Sequence, residues 1–267
     1  MGSQEPAYVR GIHAAQALRH REQLGFEPVD IWQLLERLEV PVAIRDFGSG
    51  SGDGLYLWEC GEPFIVINKS SRPSRQRFTA AHELGHHEMH RFEADRLLFA
   101  DQDIFKPHDA REIEANAFAA YFLAPDEGIR QRLGKHTGES ITQDMVVELM
   151  GVFGLSYDAT TYRLLNTQLI NHAQRAALME NPMIEERMRR AGIDEDTSSK
   201  PPTHLPRAHI SATLRLYEDH VVTPDLLGEL LDMTRDEAIA FARERGVSPA
   251  DELPVDDTAV DALLREI

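Results

Sequence analysis

The chain has 267 residues, with 28 Lys and Arg against 45 Asp and Glu, a formal net charge of −17 and 42% hydrophobic residues. That length holds one ample core plus a smaller second unit, and the acidity excludes the clustered positive charge with which nucleic-acid binders neutralise phosphates. There is no apolar run as long as a membrane span, no apolar core near Met1 for a signal peptide, and a single cysteine, Cys60, so the expectation is a cytoplasmic protein without internal disulfides. A chain this acidic repels DNA and anionic membrane alike, and attracts a basic DNA-binding protein.

Residues 7–24 predict an amphipathic helix closed by Gly25, and a shorter helix follows over 29–38. Short strands are predicted at 40–44, 55–58 and 64–67, the first two separated by a Gly-rich turn at 48–54. Cys60 reads as a half-buried strand residue, with a thiol switch as the functional alternative. The strand at 64–67 allows two readings. As an edge strand it could pair with an extended substrate, and as an interior strand it has no substrate role.

Next comes His82-Glu83-Leu84-Gly85-His86, an H-E-x-x-H pattern in a helical run. Four residues advance a helix by about 400°, so the two imidazoles leave nearly the same face one turn apart. That spacing suits a tetrahedral zinc ion. Glu83 lies about 100° around from His82, where a carboxylate can act as a general base. The other registers fail: His86 and His90 are four apart but His87, not an acid, follows His86, and His87-Glu88 has Arg91 where the second histidine is needed. Gly85 costs a surface helix about 1 kcal/mol relative to Ala, a loss that makes sense where another backbone or a substrate must approach.

The stretch 90–107 is expected to be a loop or short helix. His87, His90 and His108 each read as surface or hydrogen-bonded histidines, with a transition-state role as the alternative. A catalytic zinc takes three protein ligands and leaves one position open, and the predicted helix from Glu112 to Pro125 offers the third. Glu112 has Asn116 one turn later on the same face, a polar partner able to orient a ligand histidine. Glu114 points about 200° away from Glu112 and is expected to be solvated, so Glu112 leads and Glu114 is the rival. Tyr121, nine residues after Glu112, should face away from the metal.

The run Arg77-Phe78-Thr79-Ala80-Ala81-His82-Glu83-Leu84-Gly85-His86, with Glu112-x-Glu114-Ala115-Asn116-x-Phe118-Ala119-Ala120 downstream and 64–68 upstream, resembles the ImmA/IrrE family of metallo-endopeptidases. The likeness spans roughly residues 8–170 and departs from the family at Ala124-Pro125, where a Met usually precedes the proline. It implies one zinc ion (or another divalent metal) held by His82, His86 and Glu112, with Glu83 as general base. It also implies a substrate class: helix-turn-helix transcriptional repressors, cut to release stress-response or mobile-element genes.

Residues 141–166 have the outline of a helix-turn-helix, with Ser156 positioned to cap the second helix. The segment carries Asp144, Glu148 and Asp158 but only Arg163 as a base, which favours tri-helical packing or docking of a protein substrate over DNA contact. A polar, Pro-containing linker is expected over 192–206. A small helical unit follows, with Thr223-Pro224 and Thr234 opening helices and Gly246 closing one.

The expected architecture is therefore α+β. A small three-stranded sheet with the peptidase helices fills residues 1–135, a helix-turn-helix-like segment 136–191 and a helical unit 207–267. The expected function is a zinc endopeptidase acting on a protein substrate, a DNA-binding repressor, with no direct nucleic-acid or membrane partner. The alternative is a regulatory binding protein that keeps a structural zinc site and does not cleave.

Overall fold

The computed structural model describes residues 5–45, 52–59, 62–92, 96–100, 109–193, 207–218 and 222–247. Cys60, His108, most of the Gly-rich turn and the linker over 194–206 lie outside the described residues. The chain forms two compact units, residues 1–203 and 204–267.

The first unit begins with helices α1 (Ala7–Arg21) and α2 (Ile31–Arg37), the latter capped by Asp30, whose side chain accepts from the Trp32 and Gln33 amides. Strands β1 (Val42–Arg45), β2 (Gly54–Glu59) and β3 (Glu62–Asn68) precede the long helix α3 (Pro73–His90). Pro73 at its first position presets the helical φ, and Arg72 before it is extended. A fourth strand, β4 (Arg96–Ala100), comes next, and then α4 (Ala110–Leu123). Asp109 caps α4, and the chain leaves it at Ala124 before Pro125.

The class is α+β, with the sheet order β1-β3-β2-β4. β1 runs parallel to β3, while β2 is antiparallel to both β3 and β4. The sheet is one strand wider than expected, because 96–100 extends within the stretch predicted as loop or short helix. Leu97, Leu98, Phe99 and Ala100 make an apolar run too short for a stable helix, and the free side of β2 offers it a ladder. A second finding excludes one reading of 64–67. β3 is an interior strand, flanked by β1 and β2, so its backbone is taken up within the sheet and cannot pair with a substrate.

Burial alternates over 54–57 of β2 and 64–67 of β3. Tyr56 lies opposite Ile65, and Val42 also opposes Ile65, so these three side chains share one face. That face packs on Ala80, Ala81 and Leu84 of α3 in the main core. Downstream, α5 (Asp126–Leu133), α6 (Gln143–Phe153), α7 (Tyr157–Asn166), α8 (His172–Met179) and α9 (Ile184–Ala191) add Ile129, Val146, Leu149, Phe153, Leu164, Leu178 and Met188 to the same core. Gly154 closes α6 in the left-handed conformation, and Ser156 caps α7 by accepting from the Ala159 amide. Arg163 is 1% exposed: it donates to the Ala124 carbonyl and stacks on the Tyr121 ring. The one base of the helix-turn-helix outline is thus committed to packing and is out of reach of a phosphate.

The second unit contains α10 (Arg207–Glu218), α11 (Pro224–Leu231) and α12 (Arg235–Glu244), around a core of Leu214, Tyr217, Leu227, Leu231, Ala238 and Ala242. Thr234 and Glu237 make the capping box that opens α12, as their spacing predicts.

Candidate metal centre

Two faces of α3 carry the chemistry. Positions 82, 86 and 90 recur every four residues and meet α4, while positions 79, 83 and 87 form a second row that meets β2. Close packing of the two helices depends on Gly85. A methyl group there would lie 3.1 Å from Phe118 Cδ1 and 3.2 Å from Ala115 Cα, so a side chain would push α4 away. That close approach brings Glu112 over the histidines.

The side chains of His82, His86 and Glu112 each offer one ligand atom, and these atoms lie within 4.8 Å of one another. Both histidines are 1% exposed and Glu112 is 6% exposed, so this is an interior cluster and not a His-rich surface. The two Nε2 atoms are 3.0 Å apart, and the Glu112 oxygens approach them at 3.3 and 3.4 Å. Two ligands about 2.0–2.1 Å from a tetrahedral zinc sit about 3.3–3.4 Å from each other. The observed separations are close to that edge length.

The hydrogen bonding around the cluster also suits a cation. Asn116 Oδ1 lies 3.2 Å from His82 Nδ1. An amide oxygen only accepts, so His82 carries its proton on Nδ1 and leaves the Nε2 lone pair directed at the cluster. Burial pushes the His86 imidazole down to about 4, even against the opposing pull of Glu112, which keeps it neutral at physiological pH. A carboxylate and imidazole lone pairs converging in a dry space repel one another unless a cation lies among them. The residues present fit a divalent metal ion.

Glu83 is 1% exposed on the neighbouring face of α3, where Gly54 at the start of β2 sits against it and Thr79. His87 lies one turn further along. Its Nδ1 is 3.0 Å from the Tyr56 hydroxyl, and its ring packs edge-on to Tyr56 and Trp58. Burial, with Arg91 nearby, pushes His87 down to about 4. His87 is therefore a packed, hydrogen-bonded histidine. His90 is buried as well, 3.0 Å from His86 Nδ1 and 2.7 Å from Glu114 Oε2.

Glu114 departs from expectation. It was expected in solvent, yet it is 6% exposed and takes a hydrogen bond from Arg10 of α1. The periodicity correctly places it off the Glu112 face, but α1 covers that second face. The Arg10–Glu114 contact spans 104 residues of sequence, and no local pattern reports it. For His90, the signal was the four-residue spacing from His86.

Residues 35–165 match the peptidase M78 family, described as the IrrE N-terminal-like domain. Over this stretch the chain is similar to the ImmA/IrrE metallopeptidases. The chain is similar to Uncharacterized immunity region protein 2 of Bacillus phage phi105, 30% identical over 99 residues, which cover 37% of this chain and 59% of that protein. It is also similar to the Radiation response metalloprotease IrrE of Deinococcus radiodurans, 35% identical over 91 residues, which cover 30% of this chain and 25% of that one. The matched region therefore falls short of two thirds of either relative. The family match over 35–165 contains His82, Glu83, His86 and Glu112, and it leaves out α1.

Proposed function

We propose that this protein is a zinc-dependent endopeptidase that cleaves a helix-turn-helix transcriptional repressor, and so releases stress-response or mobile-element genes. The observation that carries the reading is the convergence of His82, His86 and Glu112 in a buried cluster, with Glu83 on the adjacent face of the same helix. Two imidazoles with one carboxylate are a donor set typical of catalytic zinc and unlike the all-oxygen sites of calcium or magnesium. Bound there, the metal would polarise the scissile carbonyl and make a water molecule more acidic.

The rest of the chemistry belongs to the chain. His82 and His86 present neutral nitrogens, and Glu112 supplies the negative charge. Asn116 holds the His82 ring by its Nδ1–H. Glu83 takes the proton of the attacking water and passes it to the leaving amine. A purely structural metal site has no use for a base at that position, which favours the enzyme over a non-cleaving binding protein.

The substrate class is supported by three observations. The relatives are named as an immunity region protein and a radiation response metalloprotease. The net charge of −17 complements a basic DNA-binding protein. Arg163 is buried, so the helix-turn-helix outline offers no cation for DNA. No helix among the described residues is long and apolar enough to cross a membrane, in keeping with a proposed cytoplasmic location.

The test is incubation of the full chain with repressors encoded beside its gene, with zinc, with chelator and as Glu83→Gln. Cleavage by the zinc-loaded wild type alone supports the reading. A stable complex that is never cut in any arm replaces it with the binding-protein alternative.

A further inference from the structure

Behind the converging ligand atoms runs a second chain of polar groups that coordination itself does not use. His86 Nδ1 lies 3.0 Å from His90 Nδ1, and His90 Nε2 lies 2.7 Å from Glu114 Oε2. Arg10 Nε then donates to Glu114 Oε1 at 2.6 Å. His90 is 1% exposed and Glu114 6%, so the first two links are made inside the protein, while Arg10 reaches Glu114 from a part-exposed position.

Each link has one polarity. A carboxylate facing a guanidinium accepts on both oxygens, so His90 donates from Nε2. An uncharged imidazole has one N–H, so in its uncharged form His90 keeps Nδ1 as an acceptor. The group facing it is His86 Nδ1, which must then carry its proton there. The consequence appears on the other side of the ring, where His86 Nε2 is left bare beside His82 Nε2 and Glu112.

We infer that His90, Glu114 and Arg10 are positioning residues that hold His86 in the tautomer required of a metal ligand. The purpose assigned to the relay rests on the metal-site reading above, but the tautomer belongs to the metal-free protein. The relay also draws α1 into the site. Residues 35–165 carry the family match, yet the last member of the relay stands at position 10. α1 seats tightly on α4 because Gly11, beside Arg10, lies where a methyl group would collide with the Glu114 carbonyl. The centre is therefore supported by a helix outside the matched region.

The experiment uses the full chain and has two readouts. Long-range ¹⁵N–¹H correlation spectra of metal-free protein report the His86 tautomer, and chelator competition reports zinc affinity. Wild type should show His86 protonated on Nδ1. His90→Phe keeps a ring of similar size but offers no acceptor. It should give a mixture of His86 tautomers and weaken zinc binding about 10- to 100-fold, as loss of an outer-shell partner does.

Glu114→Gln can present either an oxygen or an amide to His90, so it should also lose the bias, with an affinity loss of about 10-fold. It retains the shape of the site and serves if His90→Phe fails to fold. His90→Asn keeps an acceptor near the Nδ1 position and should restore both the tautomer and most of the affinity, which a merely space-filling role would not predict. The inference is overturned by His86 protonated on Nε2 in wild type. It is equally overturned by a His90→Phe protein with unchanged tautomer and affinity within about threefold, short of the roughly 10-fold minimum expected. A wild type that binds no zinc would instead remove the metal-site reading, while its His86 tautomer still decides the relay.

Discussion

His86 and His87 are neighbours on α3, both buried and both pushed down to about 4 by burial, yet they belong to different parts of the molecule. His86 meets His82 and Glu112, groups that offer lone pairs and need a cation among them. His87 meets a hydroxyl and two aromatic rings, and its needs are met by packing. Burial and a depressed pKa are shared, so neither identifies a ligand. What separates the two is the chemistry of the partners, which is set by the 100° step between adjacent helix positions and by what packs on each face.

Exchanging each histidine for an apolar residue should break this comparison most visibly. His86→Ala leaves two of the three proposed ligands and should reduce bound metal from one equivalent to near none, measured by elemental analysis. His87→Phe should keep its metal and lower stability by about 1–3 kcal/mol, the loss expected when the buried Tyr56 hydroxyl is left without this partner. Full metal in the first variant, or loss of metal in the second, would reverse the assignment of the two faces.

Glu83 shares its face with His87, and not with the ligands, so it tests whether that face takes part in chemistry. Glu83→Gln keeps the shape, should leave metal content unchanged, and should lower the rate of repressor cleavage by about 10²–10⁴-fold. A variant as active as wild type would falsify the role of Glu83 as base.

Acid titration probes what the two histidines have in common. Each has a folded-state pKa of about 4 against an ordinary 6.5, so between these values the unfolded chain binds more protons than the folded one. By linkage, the stability of metal-free protein is fully present above pH 6.5 and is lost as pH falls toward 4. Urea midpoints should fall from pH 7 through 5.5 to 4.5, and less steeply in His87→Phe, which has one such histidine fewer. A midpoint that stays level over this range contradicts the burial of both rings.

The smallest effect is expected at Gly85, which governs how closely the ligand face approaches α4. An alanine there gains about 1 kcal/mol in helix propensity, but its methyl presses on Ala115 Cα at 3.2 Å, a backbone atom with little room to yield. Overpacking of about 1–3 kcal/mol outweighs the gain, so Gly85→Ala should be destabilised by up to about 2 kcal/mol in urea unfolding. A stabilised variant would mean that helix contact is looser than described.

Local periodicity made much of this protein legible. The four-residue spacing of His82 and His86, the acid between them on the neighbouring row, and the placement of Glu112 with Asn116 on one helix face all follow from 3.6 residues per turn. So do the cap at Ser156, the capping box at Thr234 and the α+β class, because each depends only on neighbours within about one turn of helix or on alternation along a strand. What periodicity leaves open is which surface covers each face. It could not say that β1 would flank β3 and make it interior, that 96–100 would extend the sheet from β2, or that α1 would bring Arg10 to Glu114 and turn a predicted surface acid into a buried one. Strand order, helix crossing and burial are settled by contacts between segments far apart in sequence, and only the closed tertiary structure decides those.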